Sequence, residues 1–373
     1  MRINHLTLHN FRNYADLSLA FSHNINIFLG NNAQGKTNIL EAIYIGAMGR
    51  SYRTYSDQEL IRWKHSLGRI QLNFSRLDVQ NDLAFRFSQG ETKKSNKEIT
   101  YNGYTIKVKE LIGALNVVLF APEDLTLVKG QPVARRQFID VEISQASPSY
   151  YSQLLTYNRI VTQRNHLLKK IRDNRLNAAM LEPWDEQLIK AAAGITVKRK
   201  EAIKKLAMLA NLMHRRITAS KENLSVAYFM AGLAENEQVA DKDLPAWYRE
   251  QLLKLRQQDI YRGSTGIGPH RDDLVFTVNE GIQLKSFGSQ GQQRTAVLAL
   301  KLAELEFIKS ETGEYPVLLL DDVMSELDAE RREQLLFFIK DKIQTFVTAT
   351  DQNYFPEKKM GHYYYVQNGK IME

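Results

Sequence analysis

Three short segments, far apart in the chain, carry residue types that bind nucleoside triphosphates. Residues 30–37 read GNNAQGKT, residues 286–294 read SFGSQGQQR, and residues 317–328 read VLLLDDVMSELD. The first fits the phosphate-binding loop G-x-x-x-x-G-K-[ST], in which glycines and small residues let backbone N–H groups face phosphate oxygens. Each of the other two has a simpler interpretation by itself. Together with the loop they indicate one ATP site shared between two copies of the protein.

The loop supplies most of the expected nucleotide contacts. Lys36 is expected to reach the β- and γ-phosphates, and Thr37 to offer its hydroxyl to Mg²⁺. The predicted strand Ile25–Leu29 leads into the loop and an amphipathic helix follows it, which is the context that the motif requires. The expected contacts in the loop are Gly30, Asn31, Asn32, Ala33, Gln34, Gly35, Lys36 and Thr37.

Two carboxylates follow the apolar run Val317–Leu320. A buried parallel strand ends in this way at the carboxyl edge of a sheet, where ligands bind in open α/β folds. Asp321 is the natural Mg²⁺ partner, directly or through water. Asp322 is expected to polarise the attacking water, so Asp322 and Lys36 are the catalytic candidates and Thr37 and Asp321 the metal candidates. The alternative is two acids that cap a strand beside a turn.

The third segment has the pattern of a capped helix start. Ser289 and Gln292 form a Ser-x-x-Gln capping box, and a helix start can also bind an anion. Simple capping is the alternative. In combination with the other two segments, we expect nucleotide contacts from Ser289, Gln290, Gly291 and Gln292.

The hydrophobic pattern predicts an α/β protein with a helical insertion. Up to about residue 120 the pattern is mostly strand, with a helix after the loop that Gly49 ends and a hairpin at Ile99–Val108. From about 123 to 260 it is mainly helical, with long helices at Tyr151–Ile171 and Trp184–Arg216. Strands return after about residue 261, at Asp273–Val278, Val317–Leu320 and Thr345–Thr348.

The charge of the chain is concentrated in one segment. The 373 residues carry a formal charge of +8, and residues 151–220 hold 14 Lys and Arg against 5 Asp and Glu. This favours a polyanionic partner, and a solvated helical face is the alternative. There is no cysteine, which excludes disulfides and thiolate metal sites. With neither a signal peptide nor a membrane-length apolar run in the pattern, we expect a cytoplasmic protein without a membrane partner.

These motifs resemble the ABC-type ATPase heads, and specifically the RecF family of DNA replication and repair proteins. Ser289–Arg294 is similar to the signature segment of that class, and Ser325–Asp328 to its D-loop. Three further stretches resemble RecF and are absent from transporter ATPases, so the resemblance covers essentially the whole chain. They are HLTLHNFRNY at the start, FAPEDLTLVKGQPVARRQFID at 120–140 and GIGPHRDDL at 266–274.

The resemblance implies an ABC-type ATPase head formed by residues 1–122 and 261–373, with a mainly helical arm domain at 123–260. ATP and Mg²⁺ would lie between the loop of one subunit and Ser289 of the other, so that ATP drives homodimer formation. Asp328 would transmit the state of the site, and Arg12 and Asn13 would contact nucleotide. The implied role is recombinational repair of single-stranded or gapped DNA, with SOS induction, recombinase loading, further recombination-mediator partners and association with the nucleoid.

Two departures from ABC ATPases affect the expected chemistry. Asp322 stands where most of these enzymes have Glu, which implies slow hydrolysis suited to a timer. The resemblance further implies that DNA stimulates this weak ATPase. The strand near Thr345 ends in Thr-Ala-Thr-Asp without the switch histidine of transporters, which leaves Thr350 or Asp351 as γ-phosphate sensors. His362 lies too far along the chain to replace it.

The DNA-binding residues are expected among the basic residues of the arm. The arm candidates are Arg159, Arg164, Lys169, Lys170, Arg172, Arg175, Lys198, Arg199 and Lys200. A closed dimer that grips DNA across both heads, with Arg50 and Arg53, is the other arrangement. Two other functions stay open: a motor subunit of an SMC-like or transporter complex, and a nucleotide-gated scaffold with negligible hydrolysis. The chain is too short for SMC arms, and a transporter subunit would lack the basic segment.

Overall fold

The computed structural model of the chain describes residues 1–89, 95–234, 237–279, 281–355 and 360–372. In chain order the strands are β1 (Arg2–Phe11), β2 (Tyr14–Ala20), β3 (Ile25–Leu29), β4 (Leu67–Arg76), β5 (Val79–Gln89), β6 (Ser95–Tyr101), β7 (Tyr104–Ile106), β8 (Val117–Phe120), β9 (Leu224–Phe229), β10 (Asp273–Val278), β11 (Ile282–Gln283), β12 (Val317–Asp321), β13 (Thr345–Ala349), β14 (His362–Gln367) and β15 (Lys370–Met372). The helices are α1 (Lys36–Met48), α2 (Val108–Leu111), α3 (Thr126–Lys129), α4 (Pro132–Ala146), α5 (Pro148–Arg172), α6 (Glu182–Ile217), α7 (Leu244–Arg262), α8 (Leu284–Phe287), α9 (Gln290–Thr312) and α10 (Ala329–Ile339). They form two compact units, Met1–Asp124 with Lys301–Glu373, and Leu125–Leu300.

The first unit contains a six-stranded sheet in the order β15-β14-β3-β13-β12-β8. The strands β14, β3, β13, β12 and β8 run parallel, and β3, β12 and β13 are buried along their whole length, as the apolar run Val317–Leu320 predicts for β12. One strand, β13, separates β3 from β12. The residues that follow β3 and β12 therefore meet at the same carboxyl edge of the sheet.

A second, antiparallel sheet in the same unit has the order β2-β1-β4-β5-β6-β7. The predicted hairpin is confirmed: Asn102 and Gly103 turn between β6 and β7 with φ angles of 50° and 83°. Helix α1 packs against strands of both sheets. Its Gly46 permits this approach, because a Cβ there would lie 2.2 Å from Leu72 Cδ1.

The second unit is built from long helices and the small sheet β11-β10-β9. The two long helices predicted from the sequence are confirmed as α5 and α6. Strand β9 lies inside the stretch expected to be helical, and it pairs with all six residues of β10. Because of this pairing, the compact unit continues past residue 260, and β10, which the sequence places in the head, belongs to it.

Two arginines of the basic segment lie in the interior of this unit. Arg164 is fully buried and its guanidinium is 2.7 Å from both Asp185 and Asp259. Arg199 is 2% exposed and pairs with Asp140 at 2.9 Å. The expectation that Arg164 and Arg199 contact DNA is therefore wrong, since both guanidinium groups are buried and paired with carboxylates inside the unit. Within the described residues, no helix combines the length and the hydropathy needed to cross a membrane.

Candidate functional site

The loop that follows β3 is held in shape by a side chain from the β1–β2 turn. Asn13 donates from Nδ2 to the carbonyl of Gln34 at 2.9 Å and accepts from Asn38 Nδ2 at 2.8 Å. Gly35 has a φ of 114°, and a Cβ there would lie 2.5 Å from Asn13 Nδ2. The loop therefore requires glycine at this position. The structure places Asn13 as a brace of the loop, whereas the sequence assigned it to nucleotide contact.

The hairpin β14–β15 supports the loop from a second side. Asn368 N donates to Gln34 Oε1 at 2.7 Å, and Gly369 N donates to the Gln34 carbonyl at 3.0 Å. Residues Asn31, Asn32 and Ala33, at the tip of the loop, are exposed. The loop is thus fixed at its base and open at its tip, as a phosphate cradle must be.

Lys36 lies across this loop at the start of α1. Its Nζ donates to the carbonyls of Gly30 and Asn31 at 2.6 and 2.9 Å. Burial lowers the pKa of Lys36, and the neighbouring Asp322 and Asp321 oppose that shift. The ammonium group is held at the loop by carbonyl oxygens, which are the kind of partner that phosphate oxygens replace.

Asp321, at the end of β12, collects three hydroxyl groups. Its Oδ1 accepts from Thr37 and Thr348 and its Oδ2 accepts from Tyr52, each at 2.8 Å. Burial and the Asp321 charge both raise the pKa of Tyr52, so this phenol stays protonated and donates. Tyr52 and Thr348 were missed from the sequence. The Thr-Ala-Thr stretch, with hydroxyl side chains at the end of a predicted strand, could have indicated Thr348. In the structure Thr348 lies opposite Asp321 in the parallel register of β12 and β13.

The donor set at Asp321 fits Mg²⁺. A hydroxyl and a carboxylate from Thr37 and Asp321 meet at the loop, and Mg²⁺ takes one or two protein oxygens and completes its shell with water and phosphate. The described part of the chain contains no cluster of three or more His, Cys, Asp or Glu side chains that could bind a metal without a nucleotide.

Asp322 differs from its neighbour in its hydrogen bonding. Its backbone has a φ of 54°, and its N–H donates to Thr348 Oγ1 at 2.8 Å. Its Oδ1 is buried, and no described group donates to it. Burial raises the pKa of Asp322, and Lys36 opposes that shift. A buried carboxylate oxygen with free acceptor capacity is suited to orient a water molecule.

A buried carboxylate in α1 connects the loop helix to the segment that follows it. Glu41 is fully buried and accepts from Arg12 at 2.6 and 2.9 Å and from Ser51 Oγ at 2.5 Å. Arg53 also donates to Asn38 Oδ1 at 2.8 Å. Arg12, expected at the nucleotide, thus has its guanidinium paired with Glu41. The signal for Glu41 was a carboxylate on the buried face of an apolar helix, which needs a partner.

The predicted capping box in the second unit is confirmed. Ser289 N donates to Gln292 Oε1 at 3.0 Å, and Gln292 N donates to Ser289 Oγ at 3.2 Å. Ser289, Gln290 and Gly291 are exposed, while Gln292 also donates to Glu222 at 2.7 Å. The helix start is therefore formed and presented to solvent.

The remaining expected residues have local partners. Asp328 caps α10 by accepting from Arg331 N at 2.9 Å, and Asp351 accepts from Asn353 N at 2.8 Å. Thr350 is exposed just after β13. His362 pairs in register with Asn26 near the beginning of β3, so it lies at the edge of the sheet opposite the loop.

The parallel sheet, the phosphate-binding loop after β3 and the paired carboxylates after β12 define an ABC-type ATPase head. A family model described as "RecF/RecN/SMC N terminal domain" matches residues 2–372. DNA replication and repair protein RecF of Halothermothrix orenii is 45% identical over 352 residues, covering 94% of this chain and 92% of that protein. RecF of Alkaliphilus oremlandii is 44% identical over 377 residues, with both proteins fully covered. The chain belongs to the RecF/RecN/SMC family and, within it, to the RecF proteins.

Solved structures give the same fold. One described as the recombination mediator protein RecF-ATP in the RecFOR pathway matches with a TM-score of 0.90 and 34% identity, over 100% of this chain and 97% of that one. An Smc head domain from Pyrococcus furiosus with an extended coiled coil matches with a TM-score of 0.56 and 15% identity, over 100% and 96% of the two chains. The second likeness concerns the fold alone.

Proposed function

We propose that this chain is an ATP-dependent DNA-binding protein of recombinational repair and replication that dimerises on ATP and hydrolyses it slowly. The observation that carries the proposal is the junction of Lys36, Thr37 and Asp321 at the loop, with Thr37 Oγ1 2.8 Å from Asp321 Oδ1. Relatives named DNA replication and repair protein RecF, and a solved structure described as RecF-ATP, support it. ATP and DNA binding, more than catalytic turnover, is the expected role.

ATP binding is assigned to the loop residues Gly30 to Thr37. Backbone N–H groups of the loop and the start of α1 favour the phosphates, and Lys36 supplies a positive charge. Mg²⁺ would be held by Thr37 and Asp321 and would neutralise charge on the phosphate oxygens. Asp322 orients the water, and its side chain is one methylene shorter than Glu. This supports slow hydrolysis, which DNA would stimulate.

Dimerisation is assigned to the exposed helix start at Ser289. Gln290, Gly291 and Gln292 belong to the same helix start, whose N–H groups and positive dipole end favour an anion. In the proposed dimer this anion is the γ-phosphate held by the loop of the partner subunit, so hydrolysis releases the dimer. Asp328 is the last residue of the segment similar to the D-loop and would report the state of the site, and Thr350 or Asp351 would sense the γ-phosphate.

DNA binding is assigned to exposed cations and is expected to be salt-sensitive. With Arg164 and Arg199 excluded, the exposed candidates of the second unit are Arg159, Lys169, Lys170, Arg172, Arg175 and Lys198. The description of a relative as a recombination mediator in the RecFOR pathway supports further mediator proteins as partners, with roles in recombinase loading and SOS induction. The protein would act in the cytoplasm, at the nucleoid.

The test is the mass of the protein in solution, with and without ATP and a gapped duplex, by light scattering after size exclusion. The wild type should form a dimer with ATP, and Lys36→Met and Ser289→Arg should each remain monomeric. The Ser289→Ala protein is the matched control, because it removes the capping hydroxyl without placing a large side chain on the proposed dimer surface. A dimer of normal stability from Ser289→Arg would refute the shared site.

A nucleotide-gated scaffold with negligible hydrolysis is the second candidate. The buried Oδ1 of Asp322, which has free acceptor capacity, favours an ATPase over a scaffold. Single-turnover hydrolysis by the wild type, compared with Asp322→Asn, separates the two. A wild-type rate no higher than that of ATP in buffer alone would favour the scaffold.

A further inference from the structure

The segment between α1 and β4 displays two aromatic side chains that are surrounded by solvent. We call residues 50–66 the 50–66 segment. Tyr55 has a relative exposure of 104% and Trp63 of 85%. Single exposed apolar residues are common on protein surfaces. Two fully displayed large aromatics in one short connection, both of types that favour stacking, are the feature that requires explanation.

The backbone of the 50–66 segment is anchored immediately before Trp63. Leu60 and Ile61 are buried in the first unit. The Leu60 carbonyl accepts from Arg12 N, and Arg62 N donates to the Asn10 carbonyl, both at 2.8 Å. The exposure of Trp63 is therefore a property of an ordered backbone with buried residues next to it. Because the backbone is already ordered, less conformational entropy is lost when a base stacks on the Trp63 ring.

The 50–66 segment contains more cations than acids. Arg50, Arg53, Arg62 and Lys64 are the cations of the segment, and Arg50, Arg53 and Lys64 are exposed. Its acids are Asp57 and Glu59, and Asp57 is neutralised by Lys97 at 2.9 Å. Exposed aromatic rings and exposed cations in one segment are the composition of surfaces that bind single-stranded nucleic acid, where bases stack and phosphates pair with cations.

We propose that the 50–66 segment binds unpaired nucleotides, with bases stacked on Trp63 and Tyr55 and phosphates contacted by Arg50, Arg62 and Lys64. Tyr55 and Trp63 are eight positions apart in the chain, so their Cα atoms lie less than about 29 Å apart and one short strand can reach both. The inference rests on the proposed DNA-binding function and adds which form of DNA this surface takes. Duplex DNA offers phosphates to the cations but keeps its bases inside the helix.

The test is the affinity of the full-length protein, in ATP and Mg²⁺, for three labelled probes. These are an oligothymidylate of about 15 nucleotides, an abasic strand of the same length and a duplex. Trp63→Ala and Tyr55→Ala should each weaken oligothymidylate binding by at least about fivefold and change abasic-strand and duplex binding by less than about twofold. Tyr104→Ala, which removes another exposed aromatic of the first unit, is the matched control and should bind all three normally.

Intrinsic fluorescence gives a direct readout of stacking. The chain has three tryptophans, and a Trp184→Phe, Trp247→Phe protein retains Trp63 alone. Oligothymidylate should quench its emission and the abasic strand should not. Absence of quenching, or unchanged oligothymidylate affinity of Trp63→Ala, overturns the inference while the wild type still binds DNA.

The remaining outcomes separate the inference from the proposed function. A wild type that binds none of the three probes contradicts the proposed function and the inference together. Loss of ATP-dependent dimer in Trp63→Ala with normal DNA affinity would show that the segment contacts protein, and would also overturn the inference. Thermal unfolding of each variant should match the wild type, because the replaced side chains are exposed.

Discussion

The two parts of the proposed ATP site are organised in opposite ways. In the first unit, Lys36 and Asp321 are largely buried and already hydrogen-bonded to the loop and to neighbouring hydroxyls. In the second unit, Ser289 and Gly291 are exposed on a helix start that is complete by itself. A preassembled loop can hold nucleotide within one chain, whereas the exposed helix start would contact a nucleotide only when a second subunit associates. Binding and dimerisation should therefore be separable by mutation.

The largest effect is expected from Asp322→Asn. Removing a general base lowers the rate by about 10²–10⁴-fold, while the isosteric amide leaves the loop intact. Single-turnover hydrolysis should fall by this amount, and ATP affinity should stay within about twofold of the wild type. A rate within a factor of three of the wild type would assign the base to another residue.

Arg164→Met tests whether the basic residues of the second unit comprise a buried group that stabilises the fold and an exposed group that does not. Removing one member of a buried ion pair costs about 3–5 kcal/mol, because Asp185 and Asp259 would lose their buried cation. Urea unfolding should detect this loss. Arg159→Met on the same helix is the exposed control and should change stability by about 0.5 kcal/mol or less. Similar losses in both would contradict the division.

Lys36→Met and Ser289→Arg test the central contrast directly. Loss of the Lys36 charge should weaken ATP binding to dilute, monomeric protein by about 10- to 100-fold. Ser289→Arg should leave that monomer affinity unchanged while it prevents the dimer. A fluorescent ATP analogue titrated at low protein concentration gives the measurement. Weakened monomer binding in Ser289→Arg would place both segments at one nucleotide of the same chain.

The smallest effect is expected from Tyr52→Phe. This removes one hydrogen bond to Asp321, worth about 1 kcal/mol, and leaves the bonds from Thr37 and Thr348. We expect about a fivefold rise in the Mg²⁺ concentration that supports ATP binding. Tyr44→Phe removes the hydroxyl of the ring packed against Tyr52 and serves as the matched control. An unchanged Mg²⁺ requirement in Tyr52→Phe would leave Tyr52 a structural role only.

Much of this molecule follows from local patterns in the sequence. The loop, the strand before it and the helix after it are specified by a glycine pattern, an apolar run and helical spacing within about 25 residues. The capping box at Ser289 and the turn at Asn102 are equally local, because each depends on residues at most three apart.

Other features depend on contacts between residues distant in sequence. Tyr52 lies 269 positions from Asp321, and no periodicity marks their hydrogen bond. Strand β9 lies in a helical stretch and exists because β10 pairs with it. Arg164 and Arg159 lie on the same helix and carry the same charge. The tertiary structure alone decides that Arg164 is buried against two carboxylates.

The sequence alone thus determined which residues make up the proposed nucleotide site, since Lys36, Thr37, Asp321 and Asp322 are recognisable by type and spacing. The tertiary structure decided which charged side chains are exposed and free to contact a ligand. It placed Arg12 on Glu41, removed Arg164 and Arg199 from the surface, and displayed Tyr55 and Trp63 on an anchored segment. The physical reason is that motif chemistry is encoded over a few residues, whereas burial and pairing are fixed by which distant segments pack together.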